Sequence, residues 1–469
     1  MNQPVVLSWQ PAIRPEGAAG ERREEPLYLA IAGAMERDIA AGLLQPGDRL
    51  PPQRELADRL GVNLSTVTRA FKLCEMKGLI AGVVGRGTFV AAGALWAGPM
   101  LNPVDWGTGM NAGPGVDLGA SHPLYLGNAQ VAGVLKQICK KTGLPELLRY
   151  TGPQGRPRHR RSAALWLERL GLRRPPEEIL VASGLQNALA LSLASLFRAG
   201  DKMAVDGLTY PGLKSLAALL GIRLVPVPGW PFLAAEALER HCRLEQIRGI
   251  YLGPDCHNPT ACRLSPGERQ DLAGVIRANN LVCLEDATYS WLDPAPLPPL
   301  AALAPEQTVY ISTLSNAFCP GLRISFLAAP RRYLAALTEG VADVNVMSSP
   351  LDLEVASQVI AGGLAGRLVE EKRLELGARN RLAEKALPGA LLPAALPSQF
   401  RWLRLGPEWN GRDFEQAALR AGVKVFGSGR FVAGNTASEP GARLALSTSA
   451  DQAELARGLK ILAELVGAS

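Results

Sequence analysis

The chain has 469 residues, 47% of them hydrophobic and 20% charged, with a formal net charge of +7. At ~100–200 residues per domain this suggests about three compact units with a sizeable core, and the balance is that of a globular protein rather than a disordered one. The opening MNQPVVLSWQP lacks a basic start followed by an apolar run, and no stretch reaches ~18 apolar residues, so neither export nor membrane spanning is indicated and a cytoplasmic protein is expected.

Seven scattered cysteines form no CxxC pair, which suits reduced thiols and gives no metal site. The positive charge fits nucleic-acid binding without establishing it, because residues 50–90 hold six Lys/Arg against three Asp/Glu.

Pro26 to Ala40 has apolar residues at helical spacing, and Leu44-Gln45-Pro46-Gly47-Asp48 follows as a turn. Gln53 to Leu60 reads as a second helix stopped by Gly61, and Asn63 or Ser65 caps a third that runs to about Lys77. Two short helices about a glycine turn make a helix-turn-helix, and the glycines from Gly78 to Val90 allow a β-hairpin wing. Leu50 to Val90 (LPPQRELADRLGVNLSTVTRAFKLCEMKGLIAGVVGRGTFV) resembles the winged helix-turn-helix of the GntR family of transcription regulators. The resemblance implies that Arg54, Ser65, Thr66, Thr68, Arg69, Arg86, Gly87 and Thr88 face double-stranded DNA, mostly its phosphates. Leu64 stands where that family often has an arginine. A three-helix protein-interaction module is the alternative reading.

The head therefore spans residues 21–90. Residues 91–115 carry one charge, Asp105, among many Ala, Gly and Pro, and read as a linker whose Trp96 and Trp106 pack against the body. In the body, 116–469, seven apolar runs alternate with helical patterns: 179–182, 202–205, 223–227, 249–252, 281–284, 308–312 and 325–328. They predict an α/β fold around one sheet. Residues from about Leu387 to Ser469, completed by Val116–Arg149, are expected to form a smaller subdomain.

Ser183-Gly184-Leu185-Gln186-Asn187 follows a strand and opens a helix over 188–197, a place where backbone N–H groups bind phosphate well, although ordinary strand-helix turns look the same. Leu284-Glu285-Asp286-Ala287-Thr288-Tyr289 ends another strand, and alternation points Asp286 rather than Glu285 to the site. With Leu208-Thr209-Tyr210-Pro211-Gly212, His257-Asn258-Pro259-Thr260, Ser315-Asn316-Ala317-Phe318-Cys319-Pro320-Gly321-Leu322-Arg323 and Gly441-Ala442-Arg443-Leu444, these segments resemble, in order, a fold-type I aminotransferase that binds pyridoxal 5′-phosphate (PLP). Head and body together resemble the MocR subfamily of GntR regulators.

That resemblance implies a PLP pocket made by Ser183, Gly184, Gln186, Tyr210, Asn258, Asp286, Tyr289, Ser315, Asn316 and Arg323, with Arg443 gripping an effector carboxylate. It puts Arg323 on the phosphate, Asp286 on the pyridine nitrogen, and Asn258 and Tyr289 on the 3′-oxygen. Asn316 stands where such proteins carry the Schiff-base lysine, and an amide forms no imine. PLP is therefore expected to bind without a covalent bond, or as a preformed imine with an amine or amino acid. The implied function is a homodimeric DNA-binding regulator that senses PLP, its adduct or another small effector, with no catalytic residue. A working aminotransferase is the rival, and natural loss and deliberate replacement of the lysine both stay open. Arg156-Pro157-Arg158-His159-Arg160-Arg161 reads as a solvated helix start, or as a basic patch for DNA or the linker.

Overall fold

The computed structural model describes residues 9–11, 26–40, 43–44, 48–83, 87–91, 115–434 and 440–467. In the head, α1 (Leu27–Ala40), α2 (Gln53–Leu60) and α3 (Leu64–Met76) close over Ile31, Met35, Leu56, Val67 and Phe71. Gly61 ends α2 with φ 63°, a left-handed cap that a side chain would resist. Of the two cap candidates, Asn63 serves: its Oδ1 accepts the Ser65 backbone N–H at 3.0 Å. β1 (Ile80–Val83) pairs antiparallel with β2 (Gly87–Val90) as the expected hairpin. Arg86, Trp96, Trp106 and nearly all of the expected linker lie outside the described residues.

The body opens with β3 (Val116–Asp117), α4 (Asn128–Cys139) and α5 (Pro157–Arg169). Strands and helices then alternate: β4 (Ile179–Ala182), α6 (Leu185–Leu196), β5 (Lys202–Val205), α7 (Pro211–Leu220), β6 (Arg223–Pro226), α8 (Ala235–Glu245), β7 (Ile247–Leu252), α9 (Pro266–Ala278) and β8 (Val282–Asp286). After α10 (Leu300–Leu303) come β9 (Thr308–Thr313), α11 (Leu314–Ala317), β10 (Ser325–Ala328), α12 (Arg331–Asn345), α13 (Pro350–Ala361) and α14 (Leu364–Ala386). The chain ends with β11 (Phe400–Arg404), α15 (Gly411–Arg420), β12 (Val423–Lys424), β13 (Phe426–Gly427), β14 (Gly441–Ala445) and α16 (Gln452–Gly467).

All seven predicted strands join one sheet in the order β4-β10-β9-β8-β7-β5-β6. β10 runs antiparallel to β4 and β9, and the other pairs are parallel. Successive residues enter opposite cores: Leu284 and Ile311 pack with Leu189 and Leu213, whereas Cys283 packs with Ile250 and Leu272 and Tyr310 with Trp166. Burial on both faces is why these strands read as unbroken apolar runs.

The small subdomain departs from its expected limits. Its N-terminal contribution includes β3, which pairs with β12, and Leu118, which packs with Phe414 and Leu444. Val131, Ile138 and Leu147 instead pack with Trp166, Val181 and Phe326 in the large core, because α4 lies on α13. Helix α6 begins at Leu185, directly after Gly184, rather than at 188. The basic run at α5 is a partly solvated start, with Arg158 and Arg161 exposed, but it is not a free patch. Arg158 and His159 both meet the Glu354 carboxylate of α13, at 2.8 and 3.1 Å, and Arg160 donates to the Pro176 carbonyl.

Candidate functional site

A cavity of about 520 Å³ lies beyond the C-terminal ends of the parallel strands, where open α/β sheets leave a crevice. Gln186, Tyr210, Asn258, Asp286, Tyr289, Ser315, Asn316, Arg323 and Arg443 all line it, brought from segments as much as 257 residues apart. Ser183 and Gly184, expected in the pocket, do not line it, although the Ser183 carbonyl accepts from Arg323, which does.

One end has the donors to hold an anion. Arg323 donates to Ser315 Oγ and to the Ser183 carbonyl, both at 3.5 Å, so these bonds are weak and the guanidinium keeps donor capacity. Gly184 has φ 88°, a conformation that favours glycine, and a Cβ there would fall 2.4 Å from Arg323 Nη2 and displace that guanidinium. Gln186 accepts from Tyr210 Oη at 3.2 Å and donates to the Gly212 carbonyl at 2.9 Å, tying the turn to α7. Asn345, which sequence reasoning missed, donates to Ser183 Oγ at 2.6 Å.

At the other end, Asp286 Oδ1 accepts the Thr288 N–H at 2.9 Å and the Thr288 hydroxyl, while Oδ2 accepts the Tyr251 phenol at 2.6 Å. Burial pushes the Asp286 carboxyl upward, and these donors oppose it. Glu285 faces away and accepts the Leu300 and Ala301 N–H groups, so Asp286 is the carboxylate of the cavity, as alternation requires. Tyr289 is half-buried with its ring edge-on to Phe400 at 5.2 Å. His257, passed over beside Asn258, is lowered to about 4 by burial and so is neutral; its Nε2–H donates to the Leu208 carbonyl (2.9 Å), which leaves Nδ1 to accept from Thr260 Oγ1 (2.7 Å).

Asn316 sits on the four-residue helix α11, whose first turn Thr313 caps. Behind it, the fully buried Lys372 of α14 donates to the carbonyls of Asn316 (3.1 Å) and Phe318 (2.8 Å). Its ammonium, lowered to about 8 by burial, braces the backbone of this segment and is not among the cavity's lining groups. Nothing in the amphipathic pattern of α14 separates Lys372 from a surface lysine.

Arg443 is fully buried, donating to Asn258 Oδ1 at 2.9 Å and to the Gly119 carbonyl at 2.8 Å, with its Nε unpartnered. Phe431 lies 5.0 Å from the guanidinium, with Phe400 and Phe426 each at 5.5 Å. Among the described residues no carboxylate pairs with it. Burying an unpaired cation is costly unless an anion arrives to compensate it. Burial lowers its pKa to about 10, which leaves it charged at neutral pH.

A second cleft, about 320 Å³, lies between head and body, with Lys72, Met76 and Ile80 on one side and Pro211, Lys214 and Arg223 on the other. Ser215 of α7 lines both cavities. In the head, Arg54, Ser65, Thr68, Arg69 and Gly87 are exposed, and Thr66 and Thr88 are half-buried. Thr68 donates to Gln53 Oε1 at 2.9 Å, and the Arg69 guanidinium stacks 4.3 Å from the centre of the Tyr28 ring.

Residues 27–90 match the bacterial regulatory proteins of the gntR family, and residues 114–420 match aminotransferase class I and II. Over 462 residues the chain is 37% identical to the uncharacterized HTH-type transcriptional regulator YdeF of Bacillus subtilis strain 168, covering 98% of this chain and 97% of that one. The chain belongs to the MocR subfamily of GntR regulators. This MocR-type protein is also 27% identical over 362 residues to the HTH-type pyridoxine biosynthesis transcriptional regulator PdxR of Corynebacterium glutamicum, covering 72% of this chain and 74% of that one. Its body has the fold of LysN, the alpha-aminoadipate aminotransferase of Thermus thermophilus, complexed with N-(5′-phosphopyridoxyl)-L-leucine. The TM-score is 0.68 at 24% identity, over 76% of this chain and 92% of that one. A GntR head on an aminotransferase-like body, in a family of transcriptional regulators, makes this MocR-type chain a DNA-binding transcription regulator. Among the described residues no helix is long and apolar enough to cross a membrane.

Proposed function

We propose that this regulator senses PLP, alone or joined to an amine or amino acid, and that ligand occupancy of the body sets how the head binds its operator. The observation that carries the reading is one cavity walled by Arg323, Asp286, Asn316 and Arg443 together. The residues fit the group: Arg323, Ser315 and the 183–186 turn would hold its phosphate, Asp286 its ring nitrogen, and Asn258 and Tyr289 its 3′-oxygen. Bound there, PLP would supply an aldehyde that captures amines and a ring that accepts electrons. Arg443 would hold an effector carboxylate by a bidentate fork.

Asn316 stands at the position of the imine-forming lysine, so the chain binds the cofactor reversibly and turns over no substrate. An amide neither exchanges an imine nor shuttles a proton, and a general base alone contributes ~10²–10⁴-fold. A ligand shifts DNA binding only by its unequal affinity for two states. Adding PLP, with and without a panel of amino acids, is therefore expected to change promoter affinity by about 5–150-fold in fluorescence anisotropy. Unchanged affinity across the panel would refute the sensor reading, and steady transamination would refute the non-catalytic one.

The regulator also acts as a homodimer in this reading. Leu148, Tyr150 and Val346 are exposed apolar residues, and the Thr151 N–H on Met347 Sδ (3.1 Å) holds their two segments together beside Asn345 and Ser183. Such a patch next to a ligand site suits a second copy of the chain, whose head would read a second half-site. Light scattering at micromolar concentration is expected to give twice the monomer mass; a monomer would count against it.

A further inference from the structure

We propose that Tyr251 is a cofactor-positioning residue: its phenol holds Asp286 as the anion that meets the ring nitrogen of PLP. The inference rests on the reading that this cavity takes PLP, and it concerns a residue that none of the sequence motifs contains.

The geometry is specific. A carboxylate offers about four acceptor sites. In Asp286 two on Oδ1 are taken by Thr288, and one on Oδ2 by Tyr251 at 2.6 Å, which leaves Oδ2 able to accept one further donor. Tyr251 comes from β7 and Asp286 from the adjoining β8, where Tyr251 is in register with Leu284, so the sheet ladder fixes the contact. Tyr251 is only 5% exposed, and its ring packs with Leu284, Leu213 and Val205. Its phenol has no other hydrogen-bond partner among the described residues, and it lines the cavity beside the carboxylate.

The charge of Asp286 is contested, which gives the phenol work to do. Burial favours the neutral acid, and hydrogen bonds from Thr288 and Tyr251 favour the anion. The tyrosines and the thiol around it keep their protons near neutrality. Tyr210 is raised to about 12, and Tyr251 and Tyr289 are raised further by burial, so all three keep their protons; the Cys256 thiol is also raised. Arg443 stays charged, and Arg323 is common to every variant. His122 also lines the cavity and is common to every variant compared below. Removing the Tyr251 hydroxyl takes away a donor to the anion, so the Asp286 pKa rises further. Asp286 is then charged only at higher pH, and its grip on a protonated ring is lost sooner as pH falls.

The test is PLP affinity of the full chain, followed by absorbance of the bound ligand, for wild type and Tyr251→Phe from about pH 8 to about pH 6. The variant is expected to bind within about threefold of wild type at the alkaline end. It should fall to on the order of tenfold weaker at the acidic end, a difference of one pKa unit's worth of binding. Thr288→Val, which removes a different donor to the same carboxylate, should shift the profile in the same direction. In an Asp286→Asn background, Tyr251→Phe should change affinity less than about twofold, because the group it acts through is gone. A pH-independent loss, or a loss that persists in that background, would mean that the phenol touches the ligand or merely fills space, and would overturn the proposal. Failure of wild type to bind PLP at any pH would instead sink the reading of the cavity, and this inference with it.

Discussion

Replacing Asn316 by lysine is expected to convert reversible PLP binding into a covalent bond that borohydride fixes. The position already lines the cavity between Ser315 and Arg323, on a short helix capped by Thr313 and braced from behind by Lys372. A lysine there would be partly desolvated. Desolvation lowers the half-buried Lys214 and the fully buried Lys372 to about 8, and a lysine at 316 would be shifted in the same direction. A neutral amine is the form that condenses with an aldehyde. The wild-type chain should lose PLP on dialysis, and Asn316→Lys should keep it; about 2.8 kcal/mol of added binding free energy is already a hundredfold in retention. Mass spectrometry after reduction should find one cofactor attached at position 316. A folded variant supplied with PLP that gains no such adduct would remove the basis for placing the cofactor in this cavity.

Arg54→Ala and Arg69→Ala are expected to weaken promoter binding on the order of tenfold each and to reduce the dependence of log affinity on log salt by about one phosphate's share. Arg54 is exposed at the start of α2, and Arg69 projects from α3 with its guanidinium stacked on Tyr28 of α1. The stacking holds the charge in place before DNA arrives, so Arg69→Ala should be the larger loss. An exposed cation–π contact is worth only ~0.5–1 kcal/mol, too little to unfold the head, and PLP binding by the body should be unaffected. If both variants bind the promoter with wild-type affinity and salt slope, the DNA face has been assigned to the wrong residues.

Short-range chemistry made the head legible. Gly61 and Asn63 stop one helix and start the next by contacts within a few residues, so α2 begins and ends where the sequence places it. The seven strands were legible because parallel strands buried on both faces must be apolar throughout, yet β7 starts two residues early and β8 runs on to Asp286, since ladder pairing with neighbours extends them. The cavity wall was readable from resemblance at nine positions, but its supports were not. Tyr251 lies 35 residues before Asp286 inside an apolar strand, and Lys372 lies 56 residues after Asn316 on a polar-looking helix. Neither has a local partner that would single it out. The placement of α4 failed for the same reason, because whether Val131 and Ile138 face one core or another depends on α13, more than 200 residues downstream.

Helix α7 joins the walls of two separate cavities. Tyr210 at its N-terminus bonds Gln186 of the ligand turn, Ser215 lines both cavities, and Gly221 just past its end lies close to the Met76 methyl of the head. One helix thus borders the body's cavity and the cleft beneath the head at once. Any free energy that a ligand gains by favouring one position of this helix is the same quantity that DNA gains by favouring it. An operator that binds more tightly once the ligand has arrived must, by the same factor, raise the chain's affinity for that ligand. Copies seated on target genes would then keep their signal at concentrations that empty the copies still in solution.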